Sequence, residues 1–271
     1  SWIVMKQVLA WAGPFDFAAL RYLLGAGVLF AALLLSGRSL RPPPLGPTIL
    51  IGLCQTAAFQ GLEQWALLDG GAGHVALLAY TMPFWAVLLA WLLLGDRPTP
   101  RHWLGLALAA IGLLCIIEPW RPMGSAASTV LAILGGLAWA TGTVLSKRLF
   151  QRHAPDVLSL TAWQMLAGGV VLGLLALVMP QRPLVWNWAF IGGLAYSAVL
   201  ASAAAWWLWS IVLQRLPTTV ASVSSLGVPV LSVLLAWWLL HEQPSSLEAT
   251  GIAFVLLGLL AVSGLGRKAQ E

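Results

Sequence analysis

Long apolar runs, cut at short intervals by proline, glycine and single charges, dominate the chain. The pattern predicts ten helical spans, near 1–11, 15–36, 46–69, 72–95, 100–118, 126–150, 156–179, 187–214, 217–240 and 245–265. The punctuation is Gly13-Pro14, Pro42-Pro43-Pro44, Gly70-Gly71, Pro98 and Pro100, Pro122, Pro155, Arg182-Pro183, Pro217 and Pro244. About 20 apolar residues cross a ~30 Å hydrocarbon core, and most of the runs reach that length. No polar linker exceeds about ten residues, so the spans form one bundle with no separate aqueous module. The first span is short: eleven helical residues rise only about 17 Å. Neither a basic leader nor a small-residue cleavage site marks a signal peptide there. The reading is that Ser1 lies inside the first transmembrane helix, which lacks its opening turns.

The chain also repeats itself. A shift of 146 residues lays Val87-Leu88-Leu89-Ala90-Trp91 on Val233-Leu234-Leu235-Ala236-Trp237. On the same shift Pro83 meets Pro229, Asp96 meets Glu242, Pro98 meets Pro244, Gly105 meets Gly251 and Gly112 meets Gly258. With an offset of 141, Lys6 falls on Lys147 and Pro14 on Pro155. Apolar composition alone does not keep proline, tryptophan, an acid and two glycines in register. The expected organisation is a five-helix repeat over 1–122 and a second over 123–271. Five is odd, so the second repeat crosses the membrane in the opposite sense. That inverted build is common in secondary transporters, with the substrate site between the halves. A duplication that preserves only a packing scaffold gives the same pattern; the two exchangeable faces favour transport.

Composition agrees with this picture. Of 271 residues 60% are hydrophobic and 8% charged, about a third of the charged share of a soluble domain. The expected fold class is an all-α integral membrane protein. Cys54 and Cys115 lie inside apolar runs and form neither a disulfide framework nor a metal cluster. The net charge of +5 comes from scattered single residues, which report orientation and not nucleic-acid binding. Arg38, Arg41, Arg97, Arg101, Lys147, Arg148, Arg152, Arg215, Arg267 and Lys268 fall on one side, against Arg121 and Arg182 on the other. That bias puts both termini in the cytoplasm.

Three features resemble a known group. They are the repeat, the motif Pro-x7-Trp-x4-Asp/Glu at 83–96 and 229–242, and Gly-Gly-Leu-Ala-Trp-Ala-Thr-Gly-Thr-Val-Leu-Ser-Lys-Arg at 135–148. Together they resemble the EamA-type branch of the drug/metabolite transporter superfamily over essentially the whole chain. Within that branch the chain is similar to the bacterial aromatic amino-acid exporters. The resemblance implies ten helices, a central cavity, no bound cofactor, and export of small metabolites across the bacterial inner membrane. His241 beside Glu242 departs from the first copy, Gly95-Asp96.

Candidate chemistry lies within the spans, where ionisable groups are costly and carry function by default. Glu63 is the one carboxylate well inside a predicted span, and Gln55, Phe59 and Glu63 share a helical face flanked by Thr56 and Gln60. That face forms a cavity wall in which Glu63 meets a substrate amine or carries a proton; alternatively Glu63 reaches the outer interface or pairs with another helix. On the fourth span His74, Leu78, Thr81 and Trp85 share a face beside Tyr80. Pro83 and Pro229 remove a backbone hydrogen bond at equivalent points and are expected to act as hinges. The eighth span aligns Ser202, Trp206 and Trp209, and the ninth Ser222, Ser225 and Pro229. Trp139 and Thr143 share a face of the sixth span.

Trp120, Trp186, Trp188 and Trp103 sit at span ends, where an interfacial belt is expected. By elimination Phe59, Tyr80, Trp85, Trp139, Trp163, Tyr196 and Trp206 remain as aromatic cavity candidates, completing a set with Gln55, Gln60, Glu63, Thr81, Thr143, Ser202 and Ser225. An aromatic, weakly charged cavity suits aromatic amino acids better than phosphorylated sugars. Gly105/Gly112 and Gly251/Gly258 read as packing seams and a possible dimer face, hence a monomer or weak dimer. No Walker-type phosphate loop, metal-ligand spacing or Gly-x-Ser-x-Gly elbow is present. The partners expected are a small-molecule substrate and the lipid bilayer. The rivals are a multidrug or quaternary-cation exporter, a membrane-embedded enzyme and a channel.

Overall fold

Lipid offers no hydrogen bonds to the backbone, so a chain this apolar must satisfy its amides internally. The computed structural model describes residues 2–118, 125–231, 234 and 245–263. Among them all regular structure is helical. In chain order the helices are α1 Trp2–Val8, α2 Pro14–Leu35, α3 Leu45–Asp69, α4 (the pair Ala72–Ala79 and Met82–Leu94) and α5 Pro100–Ile116. They continue as α6 Ala126–His153, α7 Val157–Val178, α8 Trp188–Arg215, α9 Thr218–Leu231 and α10 Ser246–Ser263. Seven of these, α2, α3, α4, α6, α7, α8 and α10, are long and apolar enough to cross a membrane; α5 and α9 are shorter apolar helices. The boundary at 122/123, Trp120, Trp237 and the His241-Glu242 pair lie outside the described residues.

The outer surface is greasy. Leu92 is 67% exposed, Leu177 82% and Trp188 88%. A soluble monomer does not spread such side chains over its whole girth, whereas a bilayer covers them. Trp103 and Trp186 are likewise exposed.

Both prolines expected to bend their helices stand just after a break. α4 is interrupted by a turn at Tyr80–Thr81 and α9 by a turn at Ser225–Leu226. The proline ring clashes with the carbonyl four residues earlier, which is Ala79 for Pro83 and Ser225 for Pro229. Two further irregularities, absent from the sequence reading, are π-helical stretches at Gly52–Ala58 in α3 and Val199–Ala204 in α8. Such wide turns push side chains out of helical register and often mark functional sites.

Small residues let the helices close on one another. A Cβ on Gly105 would stand 2.8 Å from the Gly258 carbonyl, and one on Gly112 would stand 2.6 Å from that of Gly251. Moving forward along α5 therefore moves backward along α10, so the two run antiparallel in close contact. These glycines pack against one another within the chain, as the packing-seam reading expects. A second close crossing joins α3 to α7, where a Cβ on Gly168 would come within 2.6 Å of the Gly52 carbonyl.

Two half-buried lysines secure helix ends. Lys6 Nζ donates to the carbonyls of Leu67 and Gly70 at the end of α3. Lys147 Nζ donates to those of Leu213 at 3.0 Å and Leu216 at 2.8 Å, at the end of α8. Unpaired terminal carbonyls carry partial negative charge, which a cation compensates. Shifted by 146 residues, Leu67 becomes Leu213 and Gly70 becomes Leu216.

Candidate functional site: an aromatic cavity with a buried arginine

The π stretch of α8 and the breaks in α4 and α9 meet at one cavity of about 420 Å³. Its wall takes Met5 from α1, Arg21 from α2, Phe59 and Gln60 from α3, Tyr80 from the break in α4 and Trp139 from mid-α6. α8 adds Ala201, Ala205, Trp206 and Trp209, and the break in α9 adds Ser224 and Ser225. The volume falls within the ~300–1,000 Å³ of small-molecule sites.

Trp139 is the centre of the aromatic wall. Its ring stacks on Phe59 with centroids 4.9 Å apart, and meets Tyr80, Trp206 and Trp209 edge-on at 6.1, 6.0 and 5.8 Å. Trp206 is held in turn by its indole N–H, which donates to the Tyr22 hydroxyl at 3.0 Å. The ring orientations are thereby fixed from two sides. The indole N–H of Trp139 has no acceptor among the described residues.

The charged member of the wall is Arg21, only 3% exposed. Its Nε donates to Ser202 Oγ at 2.5 Å and its Nη2 to the Ala201 carbonyl at 3.0 Å, both within the π stretch of α8. Nη1 faces Met5 Sδ at 2.7 Å and Gln60 Oε1 at 3.4 Å. The sequence places Arg21 within or beside a helix, one of three basic residues near the cavity with Lys6 and Lys147, and gives it no role there. The signal was present: Ala18, Tyr22, Gly25 and Ala26 share the buried face of α2 with it.

The residues expected at the cavity separate into three groups. Phe59, Gln60, Tyr80, Trp139, Trp206 and Ser225 line it. Gln55, Glu63, Thr143 and Ser202 are fully or almost fully buried and do not line it. Gln55 accepts from Ser146 at 3.4 Å, and Gly142 packs against its Cα and Cβ. Glu63 lies against Gly135, where a Cβ would collide with its carboxyl, and neither carboxyl oxygen has a hydrogen-bond partner among the described residues. Ser202 acts from behind, through Arg21.

Thr81, Trp85, Trp163 and Tyr196 stand away from the cavity. The Thr81 hydroxyl returns to the Leu78 carbonyl at 2.7 Å, satisfying the helix break. Trp85 packs against Met82, Ala86 and Ala140. Trp163 donates to the Leu40 carbonyl at 3.1 Å and presses edge-on against Phe30 at 5.2 Å, tying down the loop between α2 and α3. Tyr196 is 39% exposed on the outer face of α8. Sequence depth placed these rings mid-span, but depth does not say which face a neighbouring helix covers. His74 bonds Thr129 at 3.1 Å, linking α4 to the start of α6. Among the described residues no group of His, Cys, Asp and Glu could hold a metal ion.

Known proteins place this architecture. A solved crystal structure superposes over 100% of this chain and 96% of its own with a TM-score of 0.79 at 23% identity, which speaks to the fold alone. The uncharacterized transporter sll0355 of Synechocystis is 30% identical, covering 96% of this chain and 84% of its own. A probable amino-acid metabolite efflux pump of Salmonella typhimurium is 27% identical, covering 96% and 88%. The sequence model of the EamA-like transporter family matches residues 1–118 and 127–264. The chain therefore belongs to the EamA-like transporter family, and is a multi-pass membrane transporter and not an enzyme.

Proposed function

We propose that the protein exports amino acids, aromatic or large hydrophobic ones foremost, from the bacterial cytoplasm across the inner membrane as a secondary carrier. The observation that carries this reading is the cavity itself: about 420 Å³, walled by Phe59, Tyr80, Trp139, Trp206 and Trp209. Each ring face offers a solute ring roughly 0.5–1.5 kcal/mol beyond apolar burial. The name of the Salmonella relative, a probable amino-acid metabolite efflux pump, points the same way.

The carrier works by alternating access of two inverted five-helix halves, with the first half ending near 122. Four features support that arrangement. The family matches two successive segments, 1–118 and 127–264. The π stretches at Gly52–Ala58 and Val199–Ala204 are 147 residues apart at their starts. The Lys6 and Lys147 caps engage carbonyls 146 residues apart, Leu67 with Leu213 and Gly70 with Leu216. The seam pairs Gly105–Gly258 and Gly112–Gly251 exchange places under that same shift. Pro83 and Pro229, beside the two breaks that face the cavity, serve as hinges between the open states.

A quaternary-cation exporter would need a carboxylate in the wall. Glu63 lies outside it, and the charge in the wall is a cation. The test is counterflow of labelled tryptophan, phenylalanine and threonine in proteoliposomes, with protein-free vesicles as control. Saturable accumulation, ranked aromatic before threonine, is expected; no counterflow from folded, monodisperse protein would overturn the proposal.

A further inference from the structure

We infer that Arg21 is the anion anchor of the cavity, so that a solute must carry a carboxylate to be held there with its apolar body against the rings. The inference rests on the reading of the cavity as the cargo site, and adds a chemical requirement to it.

Arg21 is buried, charged and without a counter-ion among the described residues. Every acceptor it meets is neutral: a hydroxyl, a carbonyl, an amide oxygen and a thioether. The one ion pair among the described residues is Arg38–Asp156 at the surface, so no described carboxylate lies within 4.0 Å of Arg21. A guanidinium cannot shed its proton at any ordinary pH. In a membrane interior such a charge pairs with an opposite one or marks a ligand pathway. Those acceptors engage four of its five N–H groups, leaving one Nη2 hydrogen without a described acceptor.

The side chain is also held in place. Ser202 accepts from Nε while donating its own hydrogen to the Ser197 carbonyl at 2.7 Å. The hydroxyl therefore presents a lone pair to Arg21 and cannot rotate away without losing a bond. The Ala201 carbonyl fixes the second edge, and Gln60 bears on the third. A guanidinium held in this way offers its remaining Nη2 hydrogen and its positive charge to one carboxylate oxygen, a charge-assisted hydrogen bond. Phe59, Tyr80, Trp139 and Trp206 line the same cavity, so head and body of an aromatic carboxylate find separate partners. Arg21 is the one Lys or Arg among the lining residues, which matches a single negative charge and leaves a phosphate dianion half compensated.

The test is inhibition of labelled phenylalanine exchange in proteoliposomes by three competitors: 3-phenylpropionate, which keeps the carboxylate; phenethylamine, which keeps the amine; and inorganic phosphate. Competition by 3-phenylpropionate alone is expected. Equal or better competition by phenethylamine or phosphate overturns the anchor. Arg21→Gln should raise the half-saturation constant for phenylalanine about 10- to 100-fold, and Arg21→Lys should recover part of it. A folded Arg21→Gln protein with wild-type half-saturation overturns the inference. Should that variant fail to fold, the competitor series on the wild-type protein decides. Two failures are separable: an unaffected Arg21→Gln beside an impaired Trp139→Leu removes the anchor and keeps the cavity, whereas saturable exchange unaffected by either removes the cavity as cargo site.

Discussion

Replacing Trp139 tests the aromatic wall at its centre. The indole touches four rings: Phe59 face to face at 4.9 Å, and Tyr80, Trp206 and Trp209 by their edges near 6 Å. Truncation to alanine would remove all four contacts and leave a void, a change that costs roughly 3–5 kcal/mol in a packed core. Trp139→Leu is the cleaner perturbation, because it keeps apolar volume while deleting the π face. A solute ring that loses one aromatic partner gives up about 0.5–1.5 kcal/mol, a factor of roughly two to twelve in affinity. The assay is initial-rate exchange in proteoliposomes against labelled tryptophan, phenylalanine and threonine, with thermal melting of each variant in detergent as the folding control. Tryptophan and phenylalanine should each lose that factor in half-saturation, and threonine should lose none. An equal loss for all three solutes would mean that the ring only supports the fold. No loss for any would mean that solutes do not meet it, and either result refutes the argument.

Four further outcomes follow from the packing. Glu63→Gln should leave the half-saturation constants for aromatic amino acids unchanged, since the carboxyl lies outside the cavity wall; a large rise measured in the same exchange assay would place it among the binding groups. Gly112→Leu should cost about 1–3 kcal/mol by forcing α5 from α10, read as a lower melting midpoint. Gly27→Ala, where nothing lies within 4 Å, should cost nothing in the same measurement. Lys6→Met and Lys147→Met should lower the melting midpoint by similar amounts, since each removes the cation from an equivalent helix end.

Much of the fold was legible because a bilayer imposes simple rules on sequence. Apolar length and Pro or Gly punctuation placed the described ends of α2 to α8 within about three residues. The turns preceding Pro83 and Pro229 were readable from the ring's missing N–H and its clash with an earlier carbonyl. The π stretches were not, since their sequences are as apolar and helix-compatible as their neighbours. The seam glycines were identified as packing seams, but not their partner: periodicity shows that a face is flat, and only tertiary packing shows that α10 fills it.

The site shows the same division. Phe59, Gln60, Tyr80, Trp139, Trp206 and Ser225 were found by depth and residue type, and they line the cavity. Trp163 and Tyr196 satisfied the same two criteria, yet one pins a loop and the other faces outward. Arg21 was placed near the cavity with Lys6 and Lys147 but given no role, because a lone arginine within a span has no spacing partner to reveal one. Its buried neighbours on α2, and not its depth, decide otherwise.

The central claim, that solutes are carried in this aromatic cavity, is tested most directly by protecting a cysteine placed in its wall. Cys54 and Cys115 are first replaced by alanine; Ser225→Cys, at the break in α9, then reports from inside, and Leu177→Cys reports from the outer face. Tryptophan or phenylalanine should slow alkylation of the cysteine at 225 with the half-saturation seen in exchange, and leave that at 177 untouched. Unchanged alkylation at 225 under saturating solute that is being transported would contradict the account.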